Sequence, residues 1–207
     1  MLEGLKPLFN SVLRPLVFPA VKIGIRPNHL TVIGLALFVA ASWLIYKGWW
    51  TTACVVAAAG SVFDALDGVV ARESNQKSVF GAILDSCCDR LTEIFLFAGV
   101  LGYFLTSPVI VLPEEPLSLS ERAWGIVFCY SSITLSLMVS YIKARCEGAG
   151  ISCNRGLLQR PERIILFCAG LLLGSGIMVW TLAVISLLAA VTVLQRFVDA
   201  YRGAKTK

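Results

Sequence analysis

Residues 64–90 read DALDGVVARESNQKSVFGAILDSCCDR, and the fold turns on how this stretch is read. It holds four of the chain's five aspartates: Asp64, Asp67, Asp85 and Asp89. The sequence on either side is strongly apolar. Asp64 and Asp67 are three residues apart, and Asp85 and Asp89 are four apart. Such spacings put each pair on one face of a helix. Two antiparallel helices joined by a short loop would let those faces meet, with four carboxylates around one cavity at one end of the hairpin.

Composition says what surrounds the hairpin. Of 207 residues, 57% are hydrophobic and 15% charged, against about 25% charged in a soluble domain. Apolar runs of membrane-spanning length account for the difference. The periodicity predicts six helices, over about 30–46, 51–71, 80–105, 123–145, 162–173 and 178–201. The expected fold is an all-α membrane protein, a single domain with a six-helix transmembrane bundle over 28–207. Residues 1–27 interleave apolar and basic residues with no continuous apolar core. They are expected to form an interfacial amphipathic helix, Leu5, Leu8, Phe9 and Val12 on one face, rather than a secretory leader. Asn28 or His29 is expected to open the first helix, asparagine being a good N-cap. The seven cysteines are odd in number and contain no C-x-x-C pair, so no disulfide framework or zinc site is expected.

Charge sets an orientation. Sixteen of the 18 lysines and arginines fall at the ends of the predicted helices that carry the aspartates, leaving only Lys47 and Arg122 at the other ends. By the positive-inside rule both termini and the aspartates are then cytoplasmic, in a multi-pass protein of the cell membrane. The same rule accounts for the net charge of +5, so nucleic acid is not an expected partner.

Four neighbouring carboxylates repel one another. One unpaired charge in hydrocarbon already costs at least about 2.5–3.5 kcal/mol. Arg72 and Arg90 offer some compensation. A hard divalent cation such as Mg²⁺ or Mn²⁺ offers more, and two such ions suit a phosphoryl-type displacement. Gly68 follows Asp64 by four residues and Gly81 precedes Asp85 by four. Glycine in a helix costs about 1 kcal/mol relative to alanine but lets a ligand reach the backbone. Small-residue helix packing explains either glycine alone; beside four carboxylates, a binding cavity is the better reading.

Asp64-x-x-Asp67-Gly68-x-x-Ala71-Arg72, followed by Gly81-x-x-x-Asp85-x-x-x-Asp89, resembles the signature of the CDP-alcohol phosphotransferases at every fixed position. At ordinary residue frequencies that match arises by chance on the order of once in ten million. The helix layout and the PNHLT stretch at the start of the first helix agree with it. The resemblance implies that an alcohol attacks the β-phosphorus of a CDP-linked donor lipid and CMP leaves. It implies that Asp64, Asp67, Asp85 and Asp89 hold the metal and that Asp89 is the general base. It implies that Asn28, Gly68, Ala71, Arg72, Ser78 and Gly81 form the CDP wall, and that the protein is a homodimer.

The motif does not name the acceptor alcohol. Downstream, Ser140 and Lys143 share a helical face, and Arg163 and Arg196 can reach the same cavity from other helices. Positive-inside flanking suffices for Arg202, Lys205 and Lys207 but suits Arg196 less well, because it lies in an apolar stretch. A buried cation wants an anion, and arginine can grip a phosphate with paired hydrogen bonds. These segments resemble the inositol-phosphate branch, the phosphatidylinositol phosphate and archaetidylinositol phosphate synthases. That implies acceptor-phosphate binding by Ser140, Lys143, Arg160, Arg163 and Arg196. Glycerol 3-phosphate is the alternative acceptor. A cation transporter or channel is the rival of another class, since intramembrane carboxylates also mark ion pathways. Against it, the outer halves of the helices carry almost no polar residues.

Overall fold

The computed structural model describes residues 26–74, 76, 78–106, 118–153 and 155–205. Among these there are six α-helices and no strand: α1 Pro27–Tyr46, α2 Trp50–Glu73, α3 Val79–Thr106, α4 Leu119–Gly148, α5 Arg160–Leu173 and α6 Ser175–Lys205. The amphipathic helix expected over 1–27 falls almost wholly outside the described residues.

All six expected helices are present, most of them longer than their apolar runs. Two are extended by N-terminal capping. Ser118 and Glu121 form a capping box that starts α4 at Leu119, four residues before the predicted start. At α5 the Glu162 carboxylate accepts from the Gln159 backbone N–H at 2.8 Å, and Pro161 sits in the first turn, where its missing N–H costs nothing. One expectation at a helix start is corrected. α1 begins at Pro27, so Asn28 lies inside the first turn and is not the cap.

Four helices, α1, α2, α4 and α6, are long and apolar enough to cross a membrane. α5 has 14 residues, which is about 21 Å at 1.5 Å per residue, against a hydrocarbon core of about 30 Å. α3 has ample length at 28 residues but carries Asp85, Asp89, Arg90 and Glu93 between its second and fifth turns.

The helices form two compact units. The first comprises residues up to Ala40 and Val55–Thr92. Its core is Leu30, Val69 and Val70, with Phe63 and Leu66 packed against them. This anchors the start of α1 to the end of α2, the turns that carry the first two aspartates.

The second unit comprises Ala41–Cys54 and Glu93–Lys207. α4 and α5 both pack on α6. Met178, Leu182, Ile185 and Ala189 of α6 are fully buried at three- and four-residue intervals. The Ser132 hydroxyl donates to the Leu182 carbonyl at 3.0 Å. Phe97 meets Phe167 edge-on, ring centroids 5.2 Å apart. α5 ends at Gly174, whose φ of 91° lets the chain restart at once as α6. All five tryptophans lie in this unit, at the ends of α1 and α2 nearest Lys47 and in the second turns of α4 and α6. Trp43, Trp49, Trp124 and Trp180 are more than half exposed. The Lys47 ammonium lies 4.8 Å from the Trp43 ring centroid. Exposed tryptophans gathered in this way are the pattern of a membrane–water interface.

Candidate active site

In the first unit, Asp64 and Asp67 project from α2 and Asp85 from α3. One carboxylate oxygen from each lies within 4.8 Å of the others. Asp67 is buried and the other two half-buried. Three carboxylates this close repel one another, and a cation between them would offset that repulsion. Hard carboxylate donors converging on one point fit Mg²⁺ or Mn²⁺. Asp89, one turn further along α3, is half-buried and is not in the three-residue cluster.

The Thr31 hydroxyl, from α1, donates to Asp67 Oδ2. Thr31 was not expected at the site, although it belongs to the PNHLT stretch. A threonine one turn into a helix reads as unremarkable until the carboxylate it holds is known. Of the two arginines expected to offset the acidic charge, Arg90 donates to the Ser86 carbonyl of its own helix, and Arg72 is exposed.

Three residues of the expected CDP wall share one corner. The Gly81 backbone N–H donates to Ser78 Oγ at 2.9 Å. A methyl group on Gly81 would stand 2.9 Å from Ser78 Oγ and 3.3 Å from Asn28 Oδ1. Gly68 is different: a methyl there would meet only Arg72 Nη1, at 3.8 Å. The space beside Gly68 is therefore open, and Arg72 borders it. Ala71 is half-buried on α2.

The second unit holds the expected acceptor residues. Arg196 of α6 is 4% exposed. It donates through Nε to the Arg155 carbonyl at 3.2 Å and through Nη1 to the Val139 carbonyl of α4. This brings it to the turn of α4 that carries Ser140 and Lys143, both half-buried. Lys143 has an exposed i,i+4 contact of 3.7 Å with Glu147, a pair of a kind that contributes little. Arg160 is half-buried at the start of α5. Arg163 is already paired: it is buried against Glu93 of α3, with Nη2 to Oε1 at 2.7 Å. Glu93 was also not expected. Its signal was in the sequence, since it lies one turn beyond Asp89, where the helix turns apolar and an acid needs a partner.

A sequence model of the CDP-alcohol phosphatidyltransferase family matches residues 25–195. The chain belongs to this family and is a transferase. It is 33% identical to the phosphatidylinositol phosphate synthase of Corynebacterium glutamicum, over 100% of this chain and 91% of that protein. It is 32% identical to the archaetidylinositol phosphate synthase of Methanothermobacter thermautotrophicus, over 98% and 97% respectively. Its structure resembles the crystal structure of the Mycobacterium tuberculosis phosphatidylinositol phosphate synthase with CDP-DAG bound. The TM-score is 0.79 at 25% identity, covering 92% of this chain and 94% of that one. The same enzyme in complex with manganese and citrate matches with a TM-score of 0.77 at 25% identity, covering 90% and 88%.

Proposed function

We propose that the protein transfers a phosphatidyl-type group from a CDP-linked lipid to L-myo-inositol 1-phosphate and releases CMP. The convergence of the Asp64, Asp67 and Asp85 carboxylates, on the spacing of the family signature, carries this reading. The relatives named for inositol-phosphate products support the choice of acceptor, and the manganese complex of the mycobacterial enzyme supports the choice of cation.

Asp64, Asp67 and Asp85 would hold Mg²⁺ or Mn²⁺, with Asp89 contributing to the metal site. When bound, the cation supplies the positive charge that the donor's pyrophosphate oxygens require. Asn28, Ser78 and Gly81 form one side of the nucleotide site, and Gly68, Ala71 and Arg72 the other. Asp89 accepts the proton of the acceptor hydroxyl as that oxygen bonds to the β-phosphorus. The bond from phosphorus to the CMP oxygen breaks, and CMP leaves with the electron pair. Ser140, Lys143, Arg160, Arg163 and Arg196 bind the acceptor's phosphate, a role supported by the burial of Arg196 among carbonyls.

Residues 1–207 act as one domain, with the helical bundle over 28–207, a reading supported by a family match that runs through both units. All six helices cross the cell membrane, and both termini and the catalytic residues face the cytoplasm. The basic residues support that orientation. α5 is the shortest crossing, apolar throughout Ile164–Leu173. The protein works as a homodimer.

The test is purified protein with Mn²⁺, a CDP-lipid and a panel of inositol 1-phosphate, free inositol, glycerol 3-phosphate and serine, reading CMP. CDP-diacylglycerol and CDP-archaeol are compared as donors. CMP release with inositol 1-phosphate supports the reading. Release with glycerol 3-phosphate alone replaces the acceptor, and ion flux in liposomes without CMP release overturns the enzyme.

A further inference from the structure

The second unit contains a buried ion pair whose acid, Glu93, the proposed chemistry leaves without a role. Arg163 of α5 and Glu93 of α3 have side chains only 2% and 4% exposed. Arg163 Nε and Nη2 both donate to Glu93 Oε1, at 3.0 and 2.7 Å, and Nη1 donates to the Leu158 carbonyl at 3.2 Å. Glu93 Oε2 is buried with no hydrogen-bond partner among the described residues. A carboxylate optimised for stability would use both oxygens on the guanidinium fork. This one instead gathers two donors on a single oxygen.

A guanidinium has five N–H groups. Among the described residues, the three bonds above take one from each nitrogen, leaving one N–H on Nη1 and one on Nη2. Those two terminal nitrogens are the ones a phosphate can take in bidentate fashion. The pair with Glu93 thus leaves Arg163 able to bind an anion while fixing its orientation. Charge points the same way. Arg163 bonds to the carbonyl of Leu158, whose backbone N–H donates to Thr192 one turn before Arg196, and among the described residues Arg196 itself bonds to carbonyl oxygens. Two buried guanidiniums in one neighbourhood repel until an anion arrives. Glu93 offsets one of them beforehand, so that less of the binding energy is spent on ordering.

We infer that Glu93 is a positioning residue for acceptor binding: it holds the Arg163 guanidinium aimed at the acceptor's phosphate and sets the affinity for that substrate without touching it. The inference rests on the proposed phosphate role of Arg163.

The test is steady-state kinetics of CMP release, with acceptor and donor varied separately. Glu93→Gln keeps the shape and one oxygen but loses the charge. It raises the acceptor KM by about tenfold or more, the value of a lost charge-assisted bond, while the donor KM and kcat stay within about twofold. Glu93→Asp restores the charge and recovers part of the loss. Because Glu93 acts through Arg163, Glu93→Gln adds almost nothing in an Arg163→Met background. Should Arg163→Met fail to fold alone, Glu93→Leu with Arg163→Met replaces both charges, a change that buried pairs often tolerate. The double variant then shows the full loss of acceptor affinity with no change in donor KM. An unchanged acceptor KM in Glu93→Gln, a loss confined to kcat or donor KM, or multiplicative effects with Arg163→Met each overturn the role of Glu93. Wild-type protein that releases CMP only with an unphosphorylated alcohol overturns the acceptor reading itself, and this inference with it.

Discussion

Gly68→Ala separates the two meanings a helix glycine can have. If Gly68 were there for packing, a methyl group would strike a neighbour. It does not: the nearest atom it would meet is Arg72 Nη1, at 3.8 Å, which is ordinary contact with the end of a flexible side chain. Its backbone is helical, so alanine brings no strain. The free protein therefore gains the helix propensity of alanine, about 0.5–1 kcal/mol. That corresponds to a rise in melting temperature of about 1–4 °C for a chain of this size. The cost falls on the ligand. If the nucleotide lies against the Gly68 backbone, the methyl occupies its space, and overpacking of this kind costs about 1–3 kcal/mol. Donor affinity then falls about 5- to 150-fold. The assay pairs a thermal melt in detergent with the KM for the CDP-lipid at saturating acceptor and Mn²⁺. A more stable protein with a weakened donor KM is the expected result. An unchanged donor KM would refute the placement of the nucleotide beside Gly68, and a fall in stability would show that the glycine is a packing residue after all.

Asp89→Asn abolishes turnover, by about 10²–10⁴-fold for a lost general base, while calorimetry still detects CDP binding; retained turnover would remove Asp89 from that role. Chelation with EDTA stops CMP release and Mn²⁺ restores it, whereas activity that survives exhaustive chelation would refute a metal site at the aspartates. Thr31→Val removes the hydroxyl that holds Asp67 Oδ2. The Mn²⁺ concentration for half-maximal activity should then rise about 10- to 100-fold, as for other partners of metal ligands, with kcat at saturating Mn²⁺ retained. Gly99→Ala places a methyl 2.5 Å from the Ser42 carbonyl, where neither backbone can yield. Stability should fall by about 1–3 kcal/mol or more, read as a lower melting temperature without a selective change in either KM.

The carboxylate hairpin was legible in the sequence because helix periodicity acts locally: three- and four-residue spacings fix which aspartates share a face. The helix ends were less legible. A hydropathy reading stops where the apolar run stops, but α4 continues back to Leu119 because Ser118 and Glu121 cap it, and polar residues carry that signal. Asn28 misled for a related reason. Asparagine is a good cap in general, but Pro27 takes the first helical position here and moves the start upstream. The partners of the site were hidden because they are relations between distant parts of the chain. Thr31 and Asp67 are 36 residues apart, and Glu93 and Arg163 are 70 apart. No periodicity reports such pairs.

Partnering sorts the charges of this chain more sharply than burial does. Arg163 is the most deeply buried cation among the described residues, yet Glu93 answers its charge. Arg155 lies 3.8 Å from Asp199, and Lys143 lies 3.7 Å from Glu147, both near the surface. Cations with carboxylates at hand, Arg163 among them, are stable before a ligand arrives. Two places stand to gain more from an added charge. In the first unit three carboxylates lie within 4.8 Å of one another; in the second, buried Arg196 rests on carbonyl dipoles. Neither arrangement is favourable in a low-dielectric setting by itself. A divalent cation relieves the first and a phosphate the second, and a phosphorylated-alcohol transferase requires both. A channel needs only the acidic site and leaves the burial of Arg196 without a cause. The acceptor panel bears directly on this argument: a protein that used free inositol as well as inositol 1-phosphate would leave Arg196 without its anion, and the reading of the second unit would fail while that of the first stood.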